Sequence, residues 1–327
     1  MTIKEQILAL LEEEQGNYLS GERIGNRLQV SRSAIWKAIK DLKQAGYQID
    51  AITNKGYCLQ KDADLLSEER IRFYLNESLS VLNIQVRSSV TSTNALVKEY
   101  GTKGEKEGLL LVANHQTQGR GRYGRTFFSP DGTGVYFSIL LRPQMSANDA
   151  SSLTTLAAVA VARGIEKVFH DAVEIKWVND LFLNGNKICG ILTEGAFNME
   201  TNGMDYVVVG IGINVYEPQG GFPAELESIA GSLIHQKEVK KDNRNRLVAE
   251  CMNYFFEYYH HFSQKKYLDD YKKRSMILGK QIEVIQGEEC KLAKAVDIDE
   301  ECRLLVEYPD GTRELLSSGE VRIRPIK

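Results

Sequence analysis

The first sixty residues constrain the fold most strongly, because three helical patterns there are followed by a strand pair. Apolar side chains recur at helical spacing over residues 3–14, and Ser20 and Ser31 stand where helix N-caps are expected. Two short strands follow, and Asn54-Lys55-Gly56 suits the tight turn between them. The order of helix, helix, helix and hairpin predicts a small winged helix-turn-helix domain over residues 1–63.

The third helix of this domain is predicted to have two chemically different faces. Its inner face is apolar, and its outer face carries Arg32, Ser33, Trp36, Lys37 and Lys40. Residues 20–60 hold seven Lys or Arg and three acids, although the whole chain has a net charge of −3. Cations reach phosphates and other side chains reach base edges, so this face is predicted to bind DNA, with Lys55 at the tip of the wing. The alternative is a small helical domain with a solvated charged face.

Length and cysteine usage narrow the class of protein. A chain of 327 residues is long enough for two or three domains. Its five cysteines include no CxxC pair, and its five histidines show no metal-ligand spacing. We therefore expect reduced thiols in a cytoplasmic protein. The sequence contains no run of 18 apolar residues, so no membrane partner is expected.

A glycine-arginine segment is the first candidate site in the middle of the chain. The apolar strand Leu109–Ala113 leads into Gly119–Arg125, which reads GRGRYGR. This matches GxGxxG, but Thr126–Pro130 does not begin a helix, as a dinucleotide fold would require. Glycine admits a ligand close to the backbone, and arginine binds phosphate and carboxylate. A flexible basic surface loop is an equally good interpretation of the composition alone.

A second candidate site combines two lysines and an aspartate. Asn184-Gly185 predicts a tight hairpin turn, which would bring Lys176 and Lys187 near each other with Asp180 between them in sequence. Such a set can hold a polyanion and a metal or an amine. Surface salt bridges are the common alternative.

Three further segments complete the pattern. Ser92-Thr93-Asn94 can cap a following helix, and on its own it indicates no more than a cap. The buried strand 207–214 ends in small residues and Asn214, as when backbone and amide close over a ligand. Short strands with a strong turn at Pro309-Asp310-Gly311 predict a small β-domain over residues 278–327.

In this order, these segments resemble the bifunctional biotin protein ligases that also repress biotin genes, over nearly the whole chain. The resemblance implies an α+β multidomain fold: a winged helix-turn-helix at 1–63, a mixed-sheet catalytic domain of the biotin/lipoate ligase type at 66–276, and an SH3-like β-barrel at 278–327. The motif segments are Asn54–Tyr57, Ser92–Asn94, Gly119–Arg125, Lys176–Asp180, Lys187–Glu194 and Gly210–Asn214.

The resemblance also implies roles for individual residues. Lys176 would assist adenylation, and Asp180 would orient an incoming lysine amine. The residues implied to bind biotin are Ser92, Thr93, Asn94, Gln116, Arg120, Gly121, Arg122 and Lys187. Those implied to bind the nucleotide are Arg122, Arg125, Phe127 and Asn214. The catalytic set would be Lys187, Arg120, Arg122, Lys176 and Asp180.

The implied cofactors and partners are ATP with Mg²⁺, a biotin carboxyl carrier domain, operator DNA and a second copy of the chain on that DNA. No residue is predicted to ligate a metal directly. Two positions depart from the family pattern, where Val178 replaces a common Pro and Phe127 a common Trp. Phe127 offers less stacking area, whereas Val178 removes no functional group. The rival interpretations are a lipoate or octanoate ligase with a regulator, and a catalytically dead biotin-sensing repressor.

Overall fold

The computed structural model describes residues 3–44, 47, 49–60, 64–198, 203–234, 242–286, 289–317 and 319–323. The chain divides into two compact units. One is Met1–Ser67 with Lys237–Asn245, and the other is Glu68–Gln236 with Arg246–Lys327. The second unit therefore takes in the residues predicted as the C-terminal domain and most of those predicted as the catalytic domain, of which 66–67 and 237–245 fall in the first unit. Among the described helices, none is both long and apolar enough to cross a membrane.

The N-terminal unit contains the predicted three helices and hairpin. Ser20 Oγ accepts from the Arg23 amide at 3.1 Å, and Ser31 Oγ accepts from the Ala34 amide at 3.2 Å, so both predicted serines cap a helix. The sequence predicts the first strand over 47–52; residue 48 lies outside the described residues, and β1 begins at Ile49. The elements are α1 (Ile3–Glu13), α2 (Gly21–Leu28), α3 (Arg32–Gln44), β1 (Ile49–Ile52) and β2 (Gly56–Leu59).

The turn of the hairpin depends on one glycine. Gly56 has φ +102°, and a Cβ built there would lie 2.0 Å from the Leu19 carbonyl oxygen. The close approach arises because Tyr57 and Leu19 exchange two backbone hydrogen bonds of 2.8 Å. The hairpin is thereby joined to the chain just ahead of α2, and no side chain fits at the point of contact.

A seven-stranded mixed sheet forms the centre of the second unit. Its order is β3-β4-β5-β9-β8-β7-β6, in which β3 and β4 are parallel and all other neighbours are antiparallel. The predicted mixed-sheet fold is thus confirmed. The strands are β3 (Asn83–Arg87), β4 (Leu109–Ala113), β5 (Gly134–Leu141), β6 (Glu174–Lys176), β7 (Asp180–Leu183), β8 (Asn186–Asn198) and β9 (Gly203–Asn214).

Helices pack against this sheet and bury its central strands. Every residue of β4 and β5 is buried, which explains their continuous apolar sequences. The Trp177–Val178 peptide bond that precedes β7 is cis. The remaining helices are α4 (Glu68–Tyr74), α5 (Thr93–Thr102), α6 (Ala147–Phe169), α7 (Asn243–His260) and α8 (Tyr267–Arg274).

The C-terminal residues form a separate antiparallel sheet, as the sequence predicted. Its strand order is β13-β12-β11-β10-β14. The predicted turn is present: Gly311 has φ +84°, and Asp310 Oδ1 accepts from the Thr312 amide at 2.9 Å. The strands are β10 (Gln281–Gln286), β11 (Glu289–Ile298), β12 (Leu304–Glu307), β13 (Arg313–Leu316) and β14 (Glu320–Ile323).

Gly56→Ala should destabilise the N-terminal unit by about 3 kcal/mol, because it adds a backbone clash to a left-handed conformation. Gly311→Ala is the matched control, since its φ is also positive but nothing lies within 4 Å of the added Cβ. That variant should cost about 1 kcal/mol. Urea denaturation of both variants measures the difference, and equal losses would contradict this account of the hairpin.

Candidate functional site

The second unit contains a cavity of about 750 Å³ bounded by the sheet, the glycine-arginine loop and the start of β14. All of the residues predicted to bind biotin, to bind the nucleotide or to act in catalysis line it. Their roles remain predictions, but the fold brings together segments that lie far apart in sequence. The lining residues from this set are Ser92, Thr93, Asn94, Gln116, Arg120, Gly121, Arg122, Arg125, Phe127, Lys176, Asp180, Lys187 and Asn214.

A hydrogen-bonded network fixes the polar end of the cavity. Gln116 Oε1 accepts from both the amide and the hydroxyl of Thr93, at 2.8 and 3.1 Å. Gln116 Nε2 donates to Ser129 Oγ at 3.0 Å, so both ends of this amide are held by the protein. Thr93 is nearly fully buried, and its hydroxyl oxygen also lies 2.8 Å from Ser138 Oγ. The orientation of the Gln116 amide is therefore set before any ligand enters.

Asn94 fastens the start of α5 to the sheet. Its Nδ2 donates to the Leu192 carbonyl at 3.1 Å and to Glu194 at 2.9 Å, and its Oδ1 accepts from Ser138 at 2.6 Å. The opposing position is Gly210, where a Cβ would lie only 1.8 Å from Asn94 Oδ1. Both polar atoms of the Asn94 side chain already have protein partners, so its geometry favours a role in building the wall of the cavity.

Glu194 is kept ionised beside this wall. Burial alone would raise the pKa of its carboxyl group, but hydrogen bonds from Lys98 and Asn94 hold that pKa below its ordinary value. Lys98 Nζ lies 2.7 Å from Glu194 Oε1, and the exposed Arg120 guanidinium acts in the same direction. Arg120 also lines the cavity.

The glycine-arginine loop folds back on itself and does not begin an α-helix. The Gly121 amide donates to the Arg125 carbonyl at 2.8 Å, and the Phe127 amide donates to the Gly119 carbonyl at 2.9 Å. Only a three-residue 3₁₀ turn, Arg122–Gly124, forms within the loop. The sequence prediction that no helix follows these glycines is confirmed.

Two arginines of this loop have partners on other segments. Arg122 Nη1 donates to Asn179 Oδ1 at 3.2 Å, and its guanidinium lies 5.0 Å from the centre of the Tyr123 ring. Arg125 Nη2 lies 2.5 Å from Glu320 Oε2 at the start of β14. The C-terminal sheet thus supplies a carboxylate to the cavity, and the pKa of Glu320 is lowered mainly by Arg125.

The predicted proximity of the two lysines to Asp180 is confirmed. Lys187 Nζ forms a 2.7 Å ion pair with Asp180 Oδ1, while Lys176 is the direct partner of Asp180 across β6 and β7. Burial lowers the pKa of Lys176, although the carboxylates of Asp180 and Glu320 oppose this. The two lysines and one aspartate together carry a net positive charge, and the aspartate is already paired with Lys187.

The Phe127 ring packs against two glycines of the central sheet, where no side chain projects. Gly190 and Gly212 are partners across β8 and β9, and the Phe127 ring lies over both. A Cβ at Gly212 would be 2.5 Å from Phe127 Cε1, and one at Gly190 would be 3.1 Å from Cε2. The edge of the ring also meets Tyr136, with centroids 6.4 Å apart. The two glycines therefore leave the space in which Phe127, at the end of the glycine-arginine loop, packs against the sheet.

Sequence reasoning did not single out Asn179 and Glu320. Asn179 Nδ2 donates to the Ile191 carbonyl at 2.8 Å, so this side chain joins Arg122 to β8. Its place inside the Lys176–Asp180 motif was an available signal. Glu320 had none, because it lies 195 residues from Arg125 in an ordinary edge strand.

Asn214 is tied to a loop that closes the other side of the cavity. Its Nδ2 donates to the Gly231 carbonyl at 3.0 Å. The same loop pairs with the start of β8, where the Lys187 amide donates to the Ile229 carbonyl at 2.7 Å and the Gly231 amide to the Lys187 carbonyl at 2.9 Å. Both the amide and the carbonyl of Lys187 are thus hydrogen-bonded to this loop, which fixes the point from which its side chain extends.

The outer face of α3 in the N-terminal unit is solvent-exposed, as predicted. Trp36 is 60% exposed, and Lys40 Nζ lies 5.3 Å from the centre of its ring. At the turn of the hairpin, Lys55 Nζ lies 5.8 Å from the centre of the Tyr18 ring. The exposed residues of the predicted DNA-binding face are Arg32, Ser33, Trp36, Lys37 and Lys40.

Known proteins are similar to this chain in sequence. Three family models match the chain: an HTH domain at 4–58, the biotin/lipoate A/B protein ligase family at 86–214, and the biotin protein ligase C terminal domain at 277–324. The chain is 34% identical to the bifunctional ligase/repressor BirA of Bacillus subtilis (strain 168), over 97% of this chain and 98% of the relative. The chain belongs to the bifunctional ligase/repressor BirA family. It is 29% identical to BirA of Escherichia coli (strain K12), over 99% and 98% of the two chains.

A solved structure of an enzyme from this group extends the similarity to the fold. The biotin protein ligase from Aquifex aeolicus, in complex with biotin and ATP, has a TM-score of 0.60 and 27% sequence identity to this chain. The match covers 74% of this chain and 98% of that one. The predicted family, fold class and enzyme class are confirmed by these matches.

Gly212→Ala should destabilise the second unit by about 1–3 kcal/mol, because the new methyl group displaces the Phe127 ring. Gly121→Ala in the same loop is the control, since its Cβ would meet only ordinary contacts from 3.5 Å outward. The cost of Gly212→Ala should largely disappear in a Phe127→Ala background when urea unfolding is compared. A cost that is independent of Phe127 would contradict this packing.

Proposed function

We propose that this protein is an ATP-dependent biotin protein ligase that transfers biotin to a carrier lysine and also represses transcription in response to biotin. The observation that carries the ligase proposal is that one cavity is lined by all of the residues that were predicted for the two half-reactions. Family membership supports it, because the relatives are named ligase/repressor. The exposed basic face of α3 supports the DNA-binding part.

In the first half-reaction, a biotin carboxylate oxygen attacks the α-phosphorus of ATP. A bond from that oxygen to phosphorus forms, the bond to the pyrophosphate oxygen breaks, and biotinyl-AMP and pyrophosphate result. Negative charge collects on the phosphoryl oxygens in the transition state. Arg120 and Arg122 from the loop and Lys187 from β8 would stabilise this charge, with Lys176 beside them. Pre-placed cations in a half-enclosed cavity are suited to that task.

The second half-reaction transfers the biotinyl group to a lysine of a carrier protein. The neutral amine attacks the carbonyl carbon of the mixed anhydride, and AMP leaves with the bonding electrons. Asp180 would orient the amine and receive its proton. A nucleotide phosphate would compete with Asp180 for the positive charge of Lys187, which would weaken their ion pair and make that carboxylate more available.

Mg²⁺ would enter this site with the triphosphate. In the described part of the chain, no group of three or more His, Cys, Asp or Glu side chains could hold a metal ion. Two carboxylates, Asp180 and Glu320, do line the cavity. Magnesium commonly binds through one or two carboxylates together with substrate phosphates, so this donor set fits. When bound, the ion would neutralise phosphate charge.

The polar network favours biotin over lipoate or octanoate. A ureido ring presents two N–H donors and one carbonyl acceptor, and the amide and hydroxyl groups of Gln116, Thr93 and Ser92 offer matching partners. An aliphatic chain or a dithiolane could not hydrogen-bond to the remaining donor and acceptor positions of these groups, so it would gain less affinity than a ureido ring. The complete set of cationic groups speaks against a dead sensor.

Repression would use two copies of the N-terminal unit on a palindromic operator. A recognition helix reads one half-site in the major groove, so a homodimer matches a two-fold operator. Biotinyl-AMP would order the glycine-arginine loop and favour the dimer, which links ligand binding to DNA binding. The dimer and this coupling are part of the proposal.

Arg120→Ala should lower biotin-dependent exchange of pyrophosphate into ATP by about a hundredfold or more, since one charge-stabilising donor is lost. Wild-type protein should exchange with biotin but not with lipoate, octanoate or no acid. The control is Arg87→Ala, which removes an exposed arginine of β3 that bonds to Gln85. Wild-type retention of adenylate by the Arg120 variant would contradict the proposed role.

Lys37→Ala should weaken binding to duplex DNA and reduce the slope of log K against log salt by about one, because one phosphate contact is lost. Lys4→Ala on α1 removes an exposed lysine from a different part of the same unit and should leave the slope unchanged. Fluorescence anisotropy at several salt concentrations gives both slopes. Identical slopes for wild type and the Lys37 variant would exclude this face.

A further inference from the structure

The turn between β6 and β7 is fixed by several different segments of the chain. Asn179 exchanges hydrogen bonds with Ile191 of β8, and Asp180 is paired with Lys187. The indole Nε1 of Trp177 donates to the Cys302 carbonyl at 3.0 Å. The Val178 carbonyl accepts a hydrogen bond of 3.1 Å from the Tyr271 hydroxyl of α8. Each residue of the turn that carries Asp180 is therefore held by a separate contact.

Tyr271 is buried, and its helix α8 is tied to α6 by an ion pair. Its side chain is fully buried, and a buried tyrosine hydroxyl needs a polar partner. Burial raises the pKa of this hydroxyl, and the Cys302 thiol and the Asp180 carboxylate raise it further, so it remains a donor. Just beyond it, Arg274 forms a 2.6 Å ion pair with Glu166 of α6. The Tyr271 hydroxyl that donates to the Val178 carbonyl therefore belongs to a helix whose position is fixed by other contacts.

The chain that follows α8 also contacts β6. The Met276 amide donates to the Ile175 carbonyl at 3.0 Å, so the chain after α8 runs beside the strand that leads into the turn. Tyr271 and Met276 thus hold the chain on the two sides of Lys176 and Trp177. Asp180 lies two residues after the carbonyl that Tyr271 binds, and its position depends on the backbone path through that carbonyl.

We propose that Tyr271 is a positioning residue for the transfer step, which acts through the Val178 carbonyl to hold the Asp180 carboxylate where the carrier amine arrives. This inference rests on the proposed function, in which Asp180 receives that amine. Tyr271 itself does not line the cavity. Its effect is transmitted through one hydrogen bond and two residues of backbone.

The variant that tests this is Tyr271→Phe, which keeps the ring and removes only the hydroxyl. The measured quantity is the single-turnover rate at which preformed biotinyl-AMP on the enzyme is transferred to a biotin carboxyl carrier domain. We expect this rate to fall about tenfold, as loss of one well-placed hydrogen bond would produce. Biotin-dependent pyrophosphate exchange and the KM for the carrier should change less than about twofold.

The decisive comparison is with Asp180→Asn. If Tyr271 acts through Asp180, Tyr271→Phe should slow transfer by less than about twofold in the Asp180→Asn background, because the group that it positions is already disabled. Tyr259→Phe is the matched control. It removes a hydroxyl that donates to Glu107 at 3.0 Å on another helix, and it should not affect transfer in either background.

Two results would overturn the inference. One is a transfer rate for Tyr271→Phe equal to that of the wild type. The other is the same fold loss with and without the Asp180 carboxylate, which would mean that the hydroxyl matters only for general stability. Failure of the wild-type protein to form biotinyl-AMP would instead overturn the proposed function, and it would be seen in the exchange assay before any variant is made.

Discussion

Three glycines on β8 and β9 leave a stretch of the central sheet without side chains, and both walls of the cavity are built against that gap. Asn94 approaches Gly210 so closely that a Cβ there would lie 1.8 Å from its amide oxygen. Phe127 lies over Gly190 and Gly212 in the same way. The start of α5 and the end of the glycine-arginine loop are thus brought to one face of the sheet. Larger residues at these positions would push both walls outward and separate the polar network from the arginines.

Charge is distributed unevenly over these walls. Six cationic side chains but only two carboxylates line the cavity. The excess favours a ligand that carries several negative charges, as a nucleoside triphosphate does. Both carboxylates are engaged with cations, Asp180 with Lys187 and Glu320 with Arg125. Ligand binding would therefore exchange partners among groups that are already paired, and it would not require an isolated charge to be buried.

Local features could be predicted from the sequence because their causes are local. Ser20 and Ser31 cap helices through contacts to amides three residues later, and the turn at Asn184-Gly185 forms from the conformations of those two residues. The predicted exposed face of α3 follows from helical spacing alone.

Long-range features of the site could not be predicted from the residues. Ser92-Thr93-Asn94 read as a helix cap, and Ser92 does cap α5, at 3.5 Å from the Ala95 amide. Thr93 enters the network because Gln116 and Ser138 of β5 lie beside it. Asn94 enters it because β8 passes beside it, about a hundred positions later in the chain. The resemblance to a family supplied these residues, and contacts such as Arg125 with Glu320 required the folded chain.

The central claim is that this one cavity activates biotin and transfers it to a protein lysine. The most direct measurement is the intact mass of a biotin carboxyl carrier domain after incubation with the purified protein. The account predicts that the carrier gains one biotinyl group on a single lysine, and only when biotin and ATP are both present. A carrier whose mass is unchanged under those conditions, or that gains a lipoyl or octanoyl group as readily, would contradict it.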